Sequence, residues 1–520
     1  MLRNNTTICF IEILLLGLLI VLVSMFYLNQ EWITWFFNSD ELMVPSIFKD
    51  LLLDNGHYKD WSLSPAPHFF PDALIFLPGF LLTKDIYIQF LICLCLQLML
   101  LYLSVKYIYC QFFQKTNAVL FSLASFSAFY LLNFKYITPY FQCILLPGAH
   151  TGQVIVGIFL VGIQLKIISS EAKFIHKKYL FIGVIISFLA GLSDLLFFIQ
   201  FSSAVLFSYL IFYFKGYLKF KDISYYAFLP FVASLAGILL TKHVVPVDVF
   251  SSYLSIFSIK TVTFSRMYAQ YIQITHVFKN ELNLFSSILF IIFYTGTFLI
   301  AFSYLFFFRK TSTLDKTLIF LSYFILFSFC FSVLSICLVG PTVFVLSRYM
   351  LPAFYLPFLT IFYLFAIFRN FKFINTSLVW LCIFLVPLYI LLSMRVLLNK
   401  PGFSIKLSYY PADILCIDQA LHDYGHTGIS QYWDANLISM LSKENLQVVP
   451  VFSDLKKFHF SMNSKKFKNS YSFAVVDIGY ISGWKLDEML IENINGKPER
   501  TVICGGRKLL IYPKNNLKLS

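Results

Sequence analysis

The chain has 520 residues, 59% hydrophobic and only 13% charged, against roughly 25% charged residues in a soluble domain. With apolar runs of about 20 residues, this excludes an ordinary soluble protein and points to a polytopic membrane protein. The net charge of +14 is not a nucleic-acid footprint, because the basic residues collect in short turns between apolar runs.

The first apolar run, Ile8 to Leu28, follows Arg3 and lacks a small-x-small cleavage site. It reads as a first membrane helix and not as a removed signal peptide. Further helices are expected near 86–105, 117–133, 151–168, 179–193, 195–214, 224–241, 284–308, 317–338, 350–368 and 375–396, about eleven in total. With Arg3 inside, the inside turns carry Lys106 and Lys115; Lys166, Lys173, Lys177 and Lys178; Lys215, Lys219 and Lys221; Arg309, Lys310 and Lys316; Arg369 and Lys372. Every inside turn is basic, as the positive-inside rule asks. The other turns then lie outside: loop 29–85, Pro139–Gly152, Ser193-Asp194, the long 242–283 loop and Gly340–Arg348. An odd helix count also places the C-terminus outside.

The first outer loop is the acidic one. From Glu31 to Asp85 it holds eight acids (Glu31, Asp40, Glu41, Asp50, Asp54, Asp60, Asp72, Asp85) against three lysines (Lys49, Lys59, Lys84). Within it, Leu42–Leu53 has a helical apolar period, expected along the membrane surface. Pro65-Ala66-Pro67 and Pro71 then force extended chain. Residues 242–283 mix apolar residues with Lys260, Arg266 and Lys279, which suits a second interfacial helix.

Residues 1–398 thus form a multi-pass domain, and 399–520 are hydrophilic with acids and bases nearly balanced. In this tail Ile414–Cys416, Leu446–Phe452, Ser472–Ile478, Thr501–Cys504 and Lys508–Tyr512 are expected as strands. Asp418–Tyr424, Ala435–Ser442 and Leu486–Ile494 are expected as helices, giving a small α/β domain. It has no Gly-rich phosphate loop and no nucleophile elbow. The ten cysteines include no C-x-x-C pair, so no zinc or redox motif is present. Cys416 and Cys504 both fall in the tail, where a disulfide and two free thiols are both open.

The topology puts Asp40, Glu41, Asp60, Asp72, His150, Asp194 and Arg348 on one face, where convergent titratable groups make a candidate site. Acids beside a membrane are costly unless solvated or used. Asp40 and Glu41 follow the first helix at once. A partly desolvated carboxylate there can take a hydroxyl proton or hold a divalent ion; an acidic loop start is the plain alternative. Asp60-Trp61 suits a sugar hydroxyl beside a ring face, or an interfacial anchor. Asp72 suits catalysis or an N-terminal helix cap. His150, opening a helix in Pro147–Gly152, suits a phosphate or a hydroxyl, or only a cap. Asp194 sits in the Gly191–Asp194 break of a long apolar stretch. Arg348, before Tyr349 and a late helix, suits a lipid-linked phosphate or a snorkelling position. In the tail, Tyr432-Trp433-Asp434 and the basic-aromatic run Lys456–Lys468 suit glycan or headgroups, or plain surface and core.

Ser39-Asp40-Glu41 in the first outer loop, the acids after it, His150-Thr151-Gly152, Arg348-Tyr349 before a late helix and the outer C-terminal domain resemble the GT-C superfamily of membrane glycosyltransferases. The resemblance is to the bacterial inner-membrane branch, similar in plan to protein O-mannosyltransferases and the aminoarabinose transferase of lipid A. It implies a GT-C-like helical fold and inverting transfer from a polyprenyl-phosphate sugar to an extracytoplasmic lipid, glycan or protein. It also implies Asp40 or Glu41 as base, with Asp40 favoured, and Arg348 on the donor phosphate. His150, Asp72 and Asp194 match by location only, and Asp60 and Tyr349 join them as substrate-binding candidates. Some relatives use a divalent ion at the loop acids and others do not, so Mg or Mn at Asp40 and Glu41 stays open.

Two other classes compete. A transporter or flippase of lipid-linked glycans would carry charges at mid-membrane and repeated halves; the chain has few such charges and no repeat. A polymerase or ligase of such glycans tends to weight its late outer loops with basic residues, whereas here the weight is acidic and early.

Overall fold

A computed structural model describes residues 5–30, 33–64, 66–136, 143–170, 173–244, 263–282, 284–306, 313–339, 347–368, 372–478, 485–513 and 516–520. Arg3, Glu31, Pro65, the Pro139–Gly152 turn up to residue 142, residues 245–262 of the long loop, Arg309, Lys310, Gly340, Pro341 and Arg369 lie outside them.

The fold is that of a polytopic helical membrane protein. Among the described residues ten helices are long and apolar enough to cross a membrane. In chain order the elements used below are α1 (Asn5–Leu28), α2 (Met43–Leu52), α3 (Leu74–Leu82), α4 (Ile86–Tyr109), α5 (Lys115–Tyr136), α6 (Thr151–Ser169), α7 (Lys173–Ser193), α8 (Leu195–Phe214) and α9 (Phe220–Thr241). They continue with α10 (Phe264–Glu281), α11 (Leu284–Phe306), α12 (Thr313–Val339), α13 (Leu351–Thr360) and α14 (Lys372–Leu398). The expected crossing at 117–133 is helical within α5, but α5 is not one of the ten. Its buried Ser122, Ser125 and Ser127 dilute the apolar run.

Burial separates centre from rim. The crossing at α6 is 83% buried and that at α1 only 28%, so α6 is enclosed while the outer side of α1 (Phe10, Ile13, Val21) is left to lipid. The α1–α4 pair fixes the two ends of the bundle. At one end Glu12 pairs with Lys106 and accepts from Tyr102 Oη at 2.9 Å. At the other, Tyr27 Oη donates to the Tyr87 carbonyl at 2.8 Å, and Tyr87 Oη to the Lys406 carbonyl at 3.0 Å. The C-terminal region therefore sits at the Tyr27–Tyr87 end. Helices α7 and α9 touch backbone to backbone, because a Cβ on Gly191 would lie 2.1 Å from the Ser234 carbonyl oxygen. That contact fixes the end of α7, where Asp194 stands.

After α14, the tail forms α15 (Ala412–Leu421), β1 (Thr427–Ser430), α16 (Tyr432–Leu441), β2 (Gln447–Pro450), β3 (Phe473–Asp477), α17 (Glu488–Asn495), β4 (Arg500–Cys504) and β5 (Arg507–Ile511). The sheet order is β2-β1-β3-β5-β4. β1 runs parallel to both neighbours, with Ile429 opposite Val449 and Ala474. β5 is antiparallel to β3 and β4, with Leu509 opposite Val475 and Val502. Two expectations differ. Ile414–Cys416 lies in α15 and not in a strand, since Pro411 stands at its N-cap and Asp413 in its first turn. β1, the central parallel strand, was not foreseen in the short Thr427–Ser430 stretch. Cys416 on α15 and Cys504 on β4 are joined in a disulfide, with Cα atoms 5.5 Å apart.

The acidic loop is clamped between bundle and sheet. Helix α2 buries Met43, Val44, Ile47 and Asp50. Beyond it, Trp61 and Ser62 pair antiparallel with Asn463 and Met462. Asp50 accepts from Trp61 Nε1 at 2.7 Å and Asn463 Nδ2 at 2.6 Å, and pairs with Lys466 at 3.0 Å. Burial opposes the charge of Asp50, yet these partners, Asn463 foremost, hold its carboxyl below the usual range.

Candidate functional site

Asn38 turns the chain out of the helical run before it. Its side-chain oxygen accepts from the backbone N–H of Asp40 at 2.9 Å and of Glu41 at 3.2 Å, a local Asx bond that fixes both acids. Ser39 Oγ donates to the Tyr432 carbonyl at 2.5 Å. Asp40 and Glu41 then face different surroundings. Asp40 is partly open, its side chain 25% exposed, and pairs with Arg348 Nη1 at 3.2 Å. Its other oxygen accepts from Tyr432 Oη at 2.7 Å. Glu41 is 4% exposed, and among the described residues its Oε2 has no hydrogen-bond partner. Burial first, then the charges of Asp40 and Asp72, push the Glu41 carboxyl well above the usual range, against the pull of Arg348.

Asp72 is buried at the start of the helical turn leading into α3, and accepts from the Gly148 N–H at 3.2 Å. It does not serve as an N-cap: His68 holds that position, with no side-chain cap bond. Gly152 gives Asp72 its room, because a Cβ there would lie 2.6 Å from both carboxylate oxygens. His68 Nδ1 lies 3.7 Å from Asp72 Oδ2. Burial pulls the His68 ring down, but Asp72 outweighs it and raises the imidazole above its ordinary value.

His150 Nδ1 is hydrogen-bonded to Asp194 Oδ2. The His150 ring is tilted between two others, 5.3 Å from His68 and 5.5 Å from Tyr349 between centroids. Asp194 caps the start of α8 by accepting from Leu196 N–H at 2.8 Å. Burial works against its charge, but His150, His68 and that N–H together hold the Asp194 carboxyl below the usual range. Arg348 lies 5.5 Å from the Tyr349 ring centre, and Gln200 Nε2 donates to the Tyr349 carbonyl at 2.6 Å.

Asp40, Glu41, Asp72, His150, Asp194, Arg348 and Tyr349 therefore meet in one group, at the end of the bundle that carries the C-terminal sheet. Asp60 does not join it. Its carbonyl accepts from Ser464 Oγ at 2.9 Å, and its side chain has no ion pair or hydrogen bond among the described residues. The anchor there is its neighbour Trp61, pinned to Asp50.

Two members were not foreseen. His68 lies in the proline-rich extended stretch, where its one signal is the spacing of four residues to Asp72. Tyr432, which from sequence suits a glycan or headgroup contact or plain surface and core, has its hydroxyl on Asp40. Arg507 steadies it from behind, donating to Asp434 Oδ1 from Nε at 3.0 Å and Nη2 at 2.6 Å.

A divalent ion shared by Asp40 and Glu41 does not fit this arrangement. Both oxygens of Asp40 are engaged, by Arg348 and Tyr432, and Glu41 is buried behind them. Among the described residues no group of three His, Cys, Asp or Glu side chains is placed to hold a metal ion. We derive no step through a metal.

What the group can do follows from its parts. It offers a half-open carboxylate, a guanidinium whose Nε has no hydrogen-bond partner among the described residues, a buried acid that favours its protonated form, and two histidines each set against an aspartate. No family model matches the chain, and no curated protein matches it.

Proposed function

We propose that the chain is an inverting glycosyltransferase of the GT-C type, with a multi-pass domain over 1–398 and an extracytoplasmic domain over 399–520. It takes a sugar from a polyprenyl-phosphate donor in the bilayer, here the bacterial inner membrane, and passes it to an acceptor outside the cytoplasm. The observation that carries this reading is the Asp40–Arg348 pair, 3.2 Å apart at the end of an apolar bundle. A carboxylate beside a guanidinium supports this reading, since one can take a proton while the other holds a phosphate.

In this reading the acceptor hydroxyl gives its proton to the Asp40 carboxylate as its oxygen attacks the anomeric carbon. The bond from that carbon to the phosphate oxygen breaks, and the electron pair leaves with polyprenyl phosphate. Arg348 turns its unengaged Nε towards the departing phosphate, where charge develops. Glu41, whose burial favours its protonated form, keeps a second negative charge away from the departing phosphate. His150, fixed by Asp194, and His68, fixed by Asp72, line the same space and orient the sugar.

The test is transfer by the purified protein in proteoliposomes, with labelled polyprenyl-phosphate sugars as donors. Wild type transfers label, and Arg348→Ala raises the donor KM by about tenfold or more, as loss of a charged hydrogen bond implies. No transfer from any polyprenyl-phosphate sugar overturns the reading.

A further inference from the structure

We propose that the cleft between α2 and α16 is a saccharide-binding site, which on the glycosyl-transfer reading holds the part of a glycan acceptor next to the sugar whose hydroxyl reaches Asp40. The cleft has a volume of about 220 Å³ and lies between the acidic loop and the C-terminal domain. That is below the roughly 300–1,000 Å³ of sites for drug-sized ligands and suits a single sugar ring. Ser46, Lys49, Trp61, Asn436, Asn445 and Gln447 are among the residues that line it.

The polar groups of this cleft point to a ligand. Ser46 is 5% exposed and its Oγ has no hydrogen-bond partner among the described residues. Asn436, 5% exposed, brings an amide to the facing wall. Buried hydroxyls are normally satisfied, so the Ser46 Oγ on the α2 wall, facing the polar Asn436 on the α16 wall, calls for an outside partner. Amides and hydroxyls both donate and accept, which matches the hydroxyls of a sugar.

Charge selects a neutral ligand over a phosphate. Lys466 lines the cleft, but Asp50 already takes its ammonium at 3.0 Å. Lys49 is balanced in the lining by Asp54. No arginine is present, and arginine is the usual fork for phosphate.

Position ties the cleft to the reaction. Helix α2 begins just after Asp40 and Glu41 and carries Ser46 and Lys49. Helix α16 begins with Tyr432 on Asp40, and Asn436 follows one turn later, about 6 Å along the axis. The cleft thus begins about one helical turn from the Asp40–Tyr432 contact, on the same two helices.

The test measures binding and not turnover. Methyl glycosides of glucose, mannose, galactose and N-acetylglucosamine are titrated against the full-length protein in nanodiscs by saturation-transfer NMR, with inorganic phosphate as a separate probe. At least one glycoside binds, and Asn436→Leu and Gln447→Leu each weaken it about tenfold, the loss of one polar contact. Gln447 is exposed at the start of β2, so its variant keeps the fold even if the Asn436 variant does not. Asp40→Asn keeps binding within about twofold, since the sites are distinct, while losing transfer. Binding of phosphate but of no glycoside, or unchanged glycoside binding in both variants, overturns the proposal. Glycoside binding lost in the variants, in a wild-type protein that transfers no sugar, upholds the site and removes the transferase reading.

Discussion

The hydroxyl of Tyr432 donates to Asp40 Oδ1 at 2.7 Å, across 392 residues of chain. One partner opens the first loop and the other opens α16, so the C-terminal domain reaches the carboxylate that the proposed mechanism uses as base. Removing only that hydroxyl isolates its contribution. Tyr432→Phe is expected to lower kcat by about 10- to 100-fold, the range for a hydrogen bond to a charged group, with little change in donor KM. Steady-state kinetics on the variant check it, and an unchanged kcat removes Tyr432 from the site.

Glu41 gives a pH prediction with a definite sign. Burial, with Asp40 and Asp72 beside it, holds the folded carboxyl well above the usual range. The unfolded chain releases that proton near pH 4.3, while the folded chain still holds it. The stability from this group is therefore full below about pH 4.3 and is lost as pH rises towards the folded value. Glu41→Gln keeps the shape without the charge. Its Tm should gain on wild type as pH is raised from 5 to 8 in a thermal-shift series. A gap that stays flat with pH contradicts the burial of this acid.

Asp50 is expected to hold the acidic loop on the C-terminal domain. It joins Trp61, Asn463 and Lys466 in one buried contact. Asp50→Ala leaves Lys466 and two donors without their acceptor, a loss of about 3 kcal/mol. Limited proteolysis should then cut within 29–85 sooner than in wild type, and denaturant unfolding should show the lower stability.

Gly152→Ala tests the seat of Asp72. The added methyl would lie 2.6 Å from both oxygens, so the carboxylate must leave the Gly148 N–H. Transfer should fall about tenfold or more, with a stability loss of about 1–3 kcal/mol. Gly17→Ala is the control, since nothing lies within 4 Å of a Cβ there.

The helical frame was legible because apolar length and basic turns are local signals. Nine apolar runs and the Gly191–Asp194 break needed no knowledge of packing. The 117–133 stretch was the exception: it is helical, but its buried serines dilute the apolar run and it is not among the ten helices apolar enough to cross. In the site, Asp40, Glu41, Asp72, His150, Asp194 and Arg348 could be placed on one face by topology. Their pairings could not, because His150–Asp194 and Arg348–Asp40 depend on how separate helices meet. Asp60 stays outside the group, and its neighbour Trp61, which suits an anchor better than a sugar platform, shows why. It is an anchor, its indole N–H held by Asp50. The triplet Ile414–Cys416 is too short for periodicity to separate helix from strand, and Pro411 with Asp413 was the better guide.

The central claim is that Asp40 takes the proton of an acceptor hydroxyl in a lipid-dependent transfer. The most direct measurement is the initial rate of sugar transfer in proteoliposomes, comparing wild type with Asp40→Asn at equal incorporation. The amide keeps size and much of the hydrogen bonding but cannot act as base. The account predicts a rate lower by about 100-fold or more, with donor KM nearly unchanged. Transfer by Asp40→Asn at the wild-type rate would contradict it.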